Sequence, residues 1–414
     1  MNQCNIYFPC TIIILIVCFC NYIFQFVLNT MGGIISWAII FIAAFIVLFS
    51  RNKTSYRYAS YFGVNRILFY ILYFVVFSMG ATSLPTVLFF GISVPKQIYG
   101  LIFFIIMVEC IMRIVSNTTE KEKDNCKKLL LFFFITVALG NIVVVLLNPS
   151  LAKTEAAEGG IFVLGYGMSY TLALLMPTCI YKIEEHNKQS KIYMILMVLC
   201  IFSVFFASYF IAITAIIFSI LTYIVVKKKN ILFTLLLSVL AIALIVTISS
   251  GQITNILYDL AGHVSNYQVQ ERLLQIARFN ETGLSHVTNA DTTYRFVLYL
   301  NTWNNFLKHP LLGNFLFGNY ECFYDHATIL DMLSTGGILL GGLYMLFLRN
   351  NYRLSTTYLN DPKAKSAMLA TYLTYFYLAI FNSVFSYSLI GLLTVLPVLL
   401  RKGSGYEDFD NASL

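Results

Sequence analysis

The chain alternates long apolar blocks with short polar interruptions. Blocks of about 17 to 22 residues, the length that crosses a hydrocarbon core as helix, fall near 8–28, 33–50, 66–84, 97–115, 128–147, 161–181, 192–208, 210–226, 231–249, 328–348, 366–384 and 386–400. The pattern predicts an all-α polytopic membrane protein with twelve transmembrane helices. No Lys or Arg precedes the first block, which is longer than a secretory apolar region and so reads as a retained helix rather than a signal peptide.

Composition sharpens this picture. With 59% hydrophobic and 11% charged residues, the chain cannot cover itself with a wet surface. Lys and Arg near span ends are retained on the cytoplasmic side. Placing the N-terminus inside puts 21 of the 27 basic residues in cytoplasmic loops and leaves six outside: Lys96, Lys153, Arg272, Arg278, Arg295 and Lys308. Both termini are therefore expected inside. The net charge of +8 is spread over short loops beside anionic lipid and calls for no nucleic-acid partner. Most of the nine cysteines lie in or beside spans and none forms a CxxC pair, so no disulfide framework is expected.

One connection breaks the rhythm. The expected organisation is nine spans over 1–249, a long outer segment at 250–327, three spans over 328–402 and a cytoplasmic tail at 403–414. Outer loops of that length are uncommon unless functional. The segment holds four of the five histidines. Within it, 268–279 reads as an interfacial amphipathic helix carrying Arg272 and Arg278. A second helix is expected over 292–309. It places Phe296, Leu300, Trp303 and Leu307 on one face, Asn301, Asn304, Asn305 and Lys308 on another, and Arg295, Tyr299 and Thr302 along the border. Pro310 stops it. "DHATILD" (325–331) then reads as a helix start, with Thr328 as N-cap and Asp331 as its capping-box partner.

From residue 292 to about 345 the chain resembles bacterial O-antigen and capsular polysaccharide polymerases and the related O-antigen ligases. The resemblance rests on the Arg295-bearing helix with Trp303 and Phe306, on His309-Pro310-Leu311-Leu312-Gly313, on His326 shortly before a span, and on Gly336-Gly337 within it. Relatives often carry a further Arg at a short outer turn, where this chain has Ser208 and Tyr209. The resemblance implies a metal-independent membrane glycosyltransferase without a cofactor, in the bacterial cytoplasmic membrane. It would join undecaprenyl-pyrophosphate-linked oligosaccharide repeat units on the outer face, in O-antigen, capsule or exopolysaccharide synthesis, with a chain-length regulator and a flippase as further partners.

Such chemistry has definite needs. A departing pyrophosphate gathers charge that a bidentate guanidinium meets best, and an acceptor hydroxyl needs a base titrating near neutrality. Arg295 and His326 supply one of each. Arg272, Arg278, His309 and Asp325 are candidates for pyrophosphate or substrate binding. Each has a plain alternative: lipid anchoring for the arginines, a helix C-cap for His309, a solvated loop acid for Asp325 and simple capping for Asp331. Glu109 is expected to pair with Arg113 four residues on. Asp259 and His263 have i,i+4 metal-ligand spacing without an evident third ligand. Gly337 and Gly341 form a small-xxx-small pattern suited to close helix packing. Two rival functions stay open: an O-antigen ligase, differing only in acceptor, and a lipid-linked oligosaccharide flippase, which would favour paired repeats and intramembrane charge.

Overall fold

Within the described residues, the apolar blocks fold as helix. The computed structural model describes residues 4–20, 33–49, 56–89, 92–147, 166–186, 189–207, 210–228, 252–263, 270–271, 273–275, 277–278 and 294–401. In order, the helices are α1 (Cys4–Phe19), α2 (Gly33–Phe49), α3 (Tyr56–Met79), α4 (Lys96–Asn117), α5 (Glu120–Leu147), α6 (Tyr166–Leu174), α7 (Met176–Glu184), α8 (Ser190–Phe206) and α9 (Phe210–Lys228). They continue with α10 (Gln252–His263), α11 (Tyr294–Lys308), α12 (Thr328–Thr357), α13 (Pro362–Phe381) and α14 (Tyr387–Leu400). The expected span at 231–249 lies outside the described residues. Among the described residues, four helical segments are long and apolar enough to cross a membrane: Lys96–Ser116, Lys121–Leu147, Ile211–Lys228 and Thr328–Thr357. Shorter apolar helices accompany them, and the chain is a predominantly α-helical, membrane-type protein.

The helices are built around α14. Its apolar sequence has no polar face, and every residue from Leu389 to Leu400 is buried, the behaviour of a helix at the centre of a bundle. It packs against α4, α6, α7, α12 and α13. Ser386 caps it, accepting from Leu389 N. α12 lies against α3 and α11, and α13 against α9 and α7. An aromatic core fills the space between α3, α4 and α12, where Phe69, Phe104, Tyr344, Phe347 and Phe385 touch one another. Deeper polar groups pair across helices, as Tyr344 does with Tyr375 and Asn382 with Tyr170.

A two-stranded hairpin interrupts the helices. β1 (Thr86–Phe89) pairs antiparallel with β2 (Ile92–Pro95), and Lys96 N donates to Pro85 O at 2.8 Å to close its base. The span pattern left 85–96 as a plain loop. Val87, Ile92 and Val94 around Gly91 carry the strand signal, but the stretch is too short to stand out between two apolar blocks.

Glu109 gains close partners from a neighbouring helix beyond the expected Arg113, whose charge also acts on it. Its Oε1 lies 2.8 Å from Arg66 Nε of α3 and accepts from the Tyr70 hydroxyl at 3.1 Å. Sequence spacing sees partners on the same helix, whereas α3 and α4 lie side by side.

The two ends of the bundle differ in chemistry. At one end Lys182, buried to 1% exposure, pairs with Glu185 at 2.8 Å and donates to Arg401 O at 2.8 Å. Lys127 donates to the same carbonyl at 3.3 Å, and Tyr181 donates to Asp361 Oδ2 at 3.0 Å. Such ammonium groups tolerate burial only with partners of this kind. The opposite end gathers the hairpin, residues 309–328 and residues 382–386. The eight described cysteines from Cys10 onward are free and buried.

Candidate functional site

The site begins with a break in α12. Gly337 has φ 66° and ψ −165°, a conformation open essentially to glycine alone. The break strips amides and a carbonyl of their helical partners, and residues 310–314 supply replacements. Ile338 N donates to Pro310 O at 2.8 Å, and Leu339 N to Leu311 O at 3.2 Å. Ser334 O accepts from Asn314 N at 2.9 Å and from Asn314 Nδ2 at 2.8 Å. Gly313, at φ 75°, lies against Thr335 so closely that a Cβ would overlap its carbonyl. The His-Pro-Leu-Leu-Gly run and the Gly-Gly pair are thus two halves of one splice. Gly341 accommodates Leu333, whose Cδ2 would stand 2.6 Å from a Cβ there. The small-xxx-small spacing therefore serves the break within α12 rather than a contact between helices.

The splice fixes α11 against α12. Leu298, Thr302 and Phe306 face inward, and Asn314 Nδ2 donates to Asn305 O at 2.7 Å. Leu300, Trp303 and Leu307 point outward and are exposed. The face read as apolar from the sequence is thus not the packed one. The border residues follow the expected register: Arg295 reaches the Tyr299 hydroxyl, which donates to Phe381 O at 2.6 Å.

His326 comes from the loop entering α12. Residue 327, not Thr328, precedes the first helical turn as N-cap, and it offers no side-chain acceptor. Asp331 does the capping from inside the helix: Oδ2 accepts from His326 N and Ala327 N, each at 2.9 Å. Thr328 is turned instead toward the α13–α14 connection, its Oγ1 accepting from Val384 N at 2.7 Å. Asp325 holds a left-handed φ of 54°, and its Oδ1 accepts from Ser383 Oγ at 2.8 Å.

Asp325 precedes His326 in the chain, and the charge of Arg295 reaches the His326 ring. Burial first, and the Arg295 charge second, push the His326 imidazole below its ordinary value, against the opposing pull of Asp325.

The remaining candidates are dispersed. His309 stacks on Phe317, ring centroids 4.0 Å apart, beside the splice. Arg278 is exposed, and Arg272 lies outside the described residues. His263 Nδ1 contacts the Asp259 backbone carbonyl at 2.8 Å, and among the described residues no group of three His, Cys, Asp or Glu is placed to hold a metal ion.

Below the hairpin lies a cavity of about 390 Å³. Tyr73, Phe77, Phe323 and Phe385 supply aromatic wall, and Lys96, Gln97, Asp325, Asp331 and Ser383 supply polar groups. Sequence reasoning had no means of finding Gln97 here, because its importance comes from the hairpin that carries it over α12.

The pH dependence follows in sign. A folded-state value below the ordinary imidazole value means the unfolded chain binds the proton more readily, so this contribution to stability is present above about pH 6.5 and is lost as pH falls through the folded value. If His326 acts as a base, its active neutral form persists to lower pH than a free imidazole would. The acid limb of kcat/KM should therefore fall below about pH 6.5, and a midpoint above that value would contradict the assignment.

No known family model and no curated protein matches this chain.

Proposed function

We propose that the chain is a multi-pass membrane glycosyltransferase that joins undecaprenyl-pyrophosphate-linked oligosaccharide repeat units on the outer face of a bacterial cytoplasmic membrane. The observation that carries this reading is the meeting of Arg295 and a neutral-favouring His326 at the open end of α12. Arg295 holds the departing pyrophosphate and offsets its growing charge. His326 takes the proton from the attacking hydroxyl. The bond from the anomeric carbon to phosphate breaks as the new glycosidic bond forms.

The proposal includes twelve spans with both termini inside. Its support is the segregation of chemistry: the expected inner residues Lys127, Lys182 and Arg401 converge at one end, and the hairpin, His326 and Ser383 at the other. Alkaline phosphatase fused after Asn289 should be active and after Lys229 inactive; the reverse would overturn the orientation and, with it, an outer-face reaction.

Deletion of the gene tests the function directly. Surface polysaccharide reduced to a single capped repeat unit is the expected result. Polymer that stays on its lipid carrier would identify a ligase, and repeat units retained in the cytoplasm would identify a flippase.

A further inference from the structure

We infer that the cavity beneath the β1–β2 hairpin is a carbohydrate subsite that seats the sugar whose hydroxyl is the acceptor, a proposal that rests on the polymerase reading for the sugar's role but not for its binding. Its volume, about 390 Å³, falls within the range of small-molecule sites, about 300–1,000 Å³. It far exceeds the roughly 30 Å³ share of one water.

Two buried oxygens in its lining have no hydrogen-bond partner: Asp331 Oδ1 and Gln97 Oε1. Asp331 is only 4% exposed, so its free oxygen forgoes both protein donors and bulk water. Buried acceptors left in this state are costly and call for an explanation. Both are acceptors, and they come from different elements, α4 and α12. A ligand that satisfies both must present at least two hydrogen-bond donors, as a sugar with several hydroxyls does.

The rest of the lining fits the same chemistry. Phe323 and Phe385, both part-exposed, offer ring surface to the apolar faces of a pyranose, with Tyr73 and Phe77 packed behind them. Lys96, exposed at the rim, opposes a bare cation. The fit to a lipid tail is equally poor, since an acyl chain would leave both oxygens unsatisfied.

Asp331 also ties this cavity to the reacting centre. Its Oδ2 holds the backbone amides of His326 and Ala327 while Oδ1 remains for the ligand. One carboxylate thus positions both the loop that carries the base and the sugar that is to lose a proton. Asp331 is a positioning residue in this scheme.

The test uses the full-length protein in lipid nanodiscs and saturation-transfer NMR with the methyl glycosides of glucose, galactose, mannose and N-acetylglucosamine. At least one should receive saturation from the protein. Gln97→Leu removes one acceptor, and binding should weaken at least about fivefold. Asp331→Asn should weaken it similarly, because the amide oxygen stays on the two backbone N–H groups and turns a donor into the cavity. If Asp331→Asn does not fold, Gln97→Leu decides alone. Lys363→Ala, at the opposite end of the bundle, should bind like wild type.

No saturation of any of the four glycosides, or equal binding by Gln97→Leu and wild type, overturns the subsite. The polymerase reading fails separately. Glycoside binding with normal polymer from variants at Arg295 and His326 would keep the subsite and discard that reading, whereas polymer loss in those variants without glycoside binding would do the opposite.

Discussion

Gly337→Ala is expected to destabilise the protein by several kcal/mol. The residue sits at φ 66° and ψ −165°, where a side chain carries strain on the order of 1–3 kcal/mol. A Cβ would also overlap the Leu311 carbonyl and stand 2.6 Å from Leu312 N. Relief requires moving residues 310–313, which detaches Ile338 N and Leu339 N from their acceptors. Each buried amide left bare adds about 1–3 kcal/mol. The measurement is the thermal unfolding midpoint of the purified protein in detergent, with Gly342→Ala as control, since the nearest atom to a Cβ there is Ile338 Cγ2 at 3.9 Å. Equal midpoints for Gly337→Ala and wild type would mean that the splice does not hold the 309–314 segment.

This prediction gives the motif a meaning different from the one its residue types suggest. His309, Pro310 and Gly313 attract attention as chemistry, yet two backbone carbonyls, one glycine and the amide of Asn314 carry out the function seen here. Backbone groups are invisible to a reading by side-chain type. The glycine pair was legible as a signal, but only the non-helical dihedrals of Gly337 show that it breaks the helix.

Other parts of the site were legible because they are local. Helical period alone puts Arg295, Tyr299 and Thr302 in one register, and Arg295 indeed reaches Tyr299. What period cannot supply is the identity of the environment on each face. In water the apolar stripe of α11 would mark the packed side, but in lipid outward residues are apolar as well. Leu300, Trp303 and Leu307 are exposed, while a threonine, Thr302, is buried. Thr328 illustrates a different limit. A local capping box was the economical reading, but the α13–α14 connection competes for its hydroxyl, and Asp331 is left to cap from within the helix. The cavity depends entirely on non-local approach, through a hairpin separated from Asp331 by more than 200 residues of sequence.

The sharpest functional prediction separates Arg295 from His326. His326→Ala should lower polymer formation by on the order of 10²–10⁴-fold, the contribution of a positioned base. The loop should survive the change, because His326 is anchored through its backbone N to Asp331 Oδ2 at 2.9 Å and not through its ring. Donor lipid binding should therefore be nearly unchanged. Arg295→Lys keeps the charge but loses the planar fork that engages two phosphate oxygens at once. Its activity should fall well below wild type while the protein still inserts, and Arg295→Ala should weaken donor binding as well. Removing that guanidinium also removes a charge that disfavours imidazolium, so any residual activity of Arg295→Ala should show its acid limb at higher pH than wild type. Polymer formation and binding of the lipid-linked donor are to be measured at matched membrane abundance. Normal polymer from His326→Ala would remove the histidine from the mechanism. Equal binding losses in His326→Ala and Arg295→Ala would instead make the histidine a phosphate ligand and leave the acceptor hydroxyl to another base.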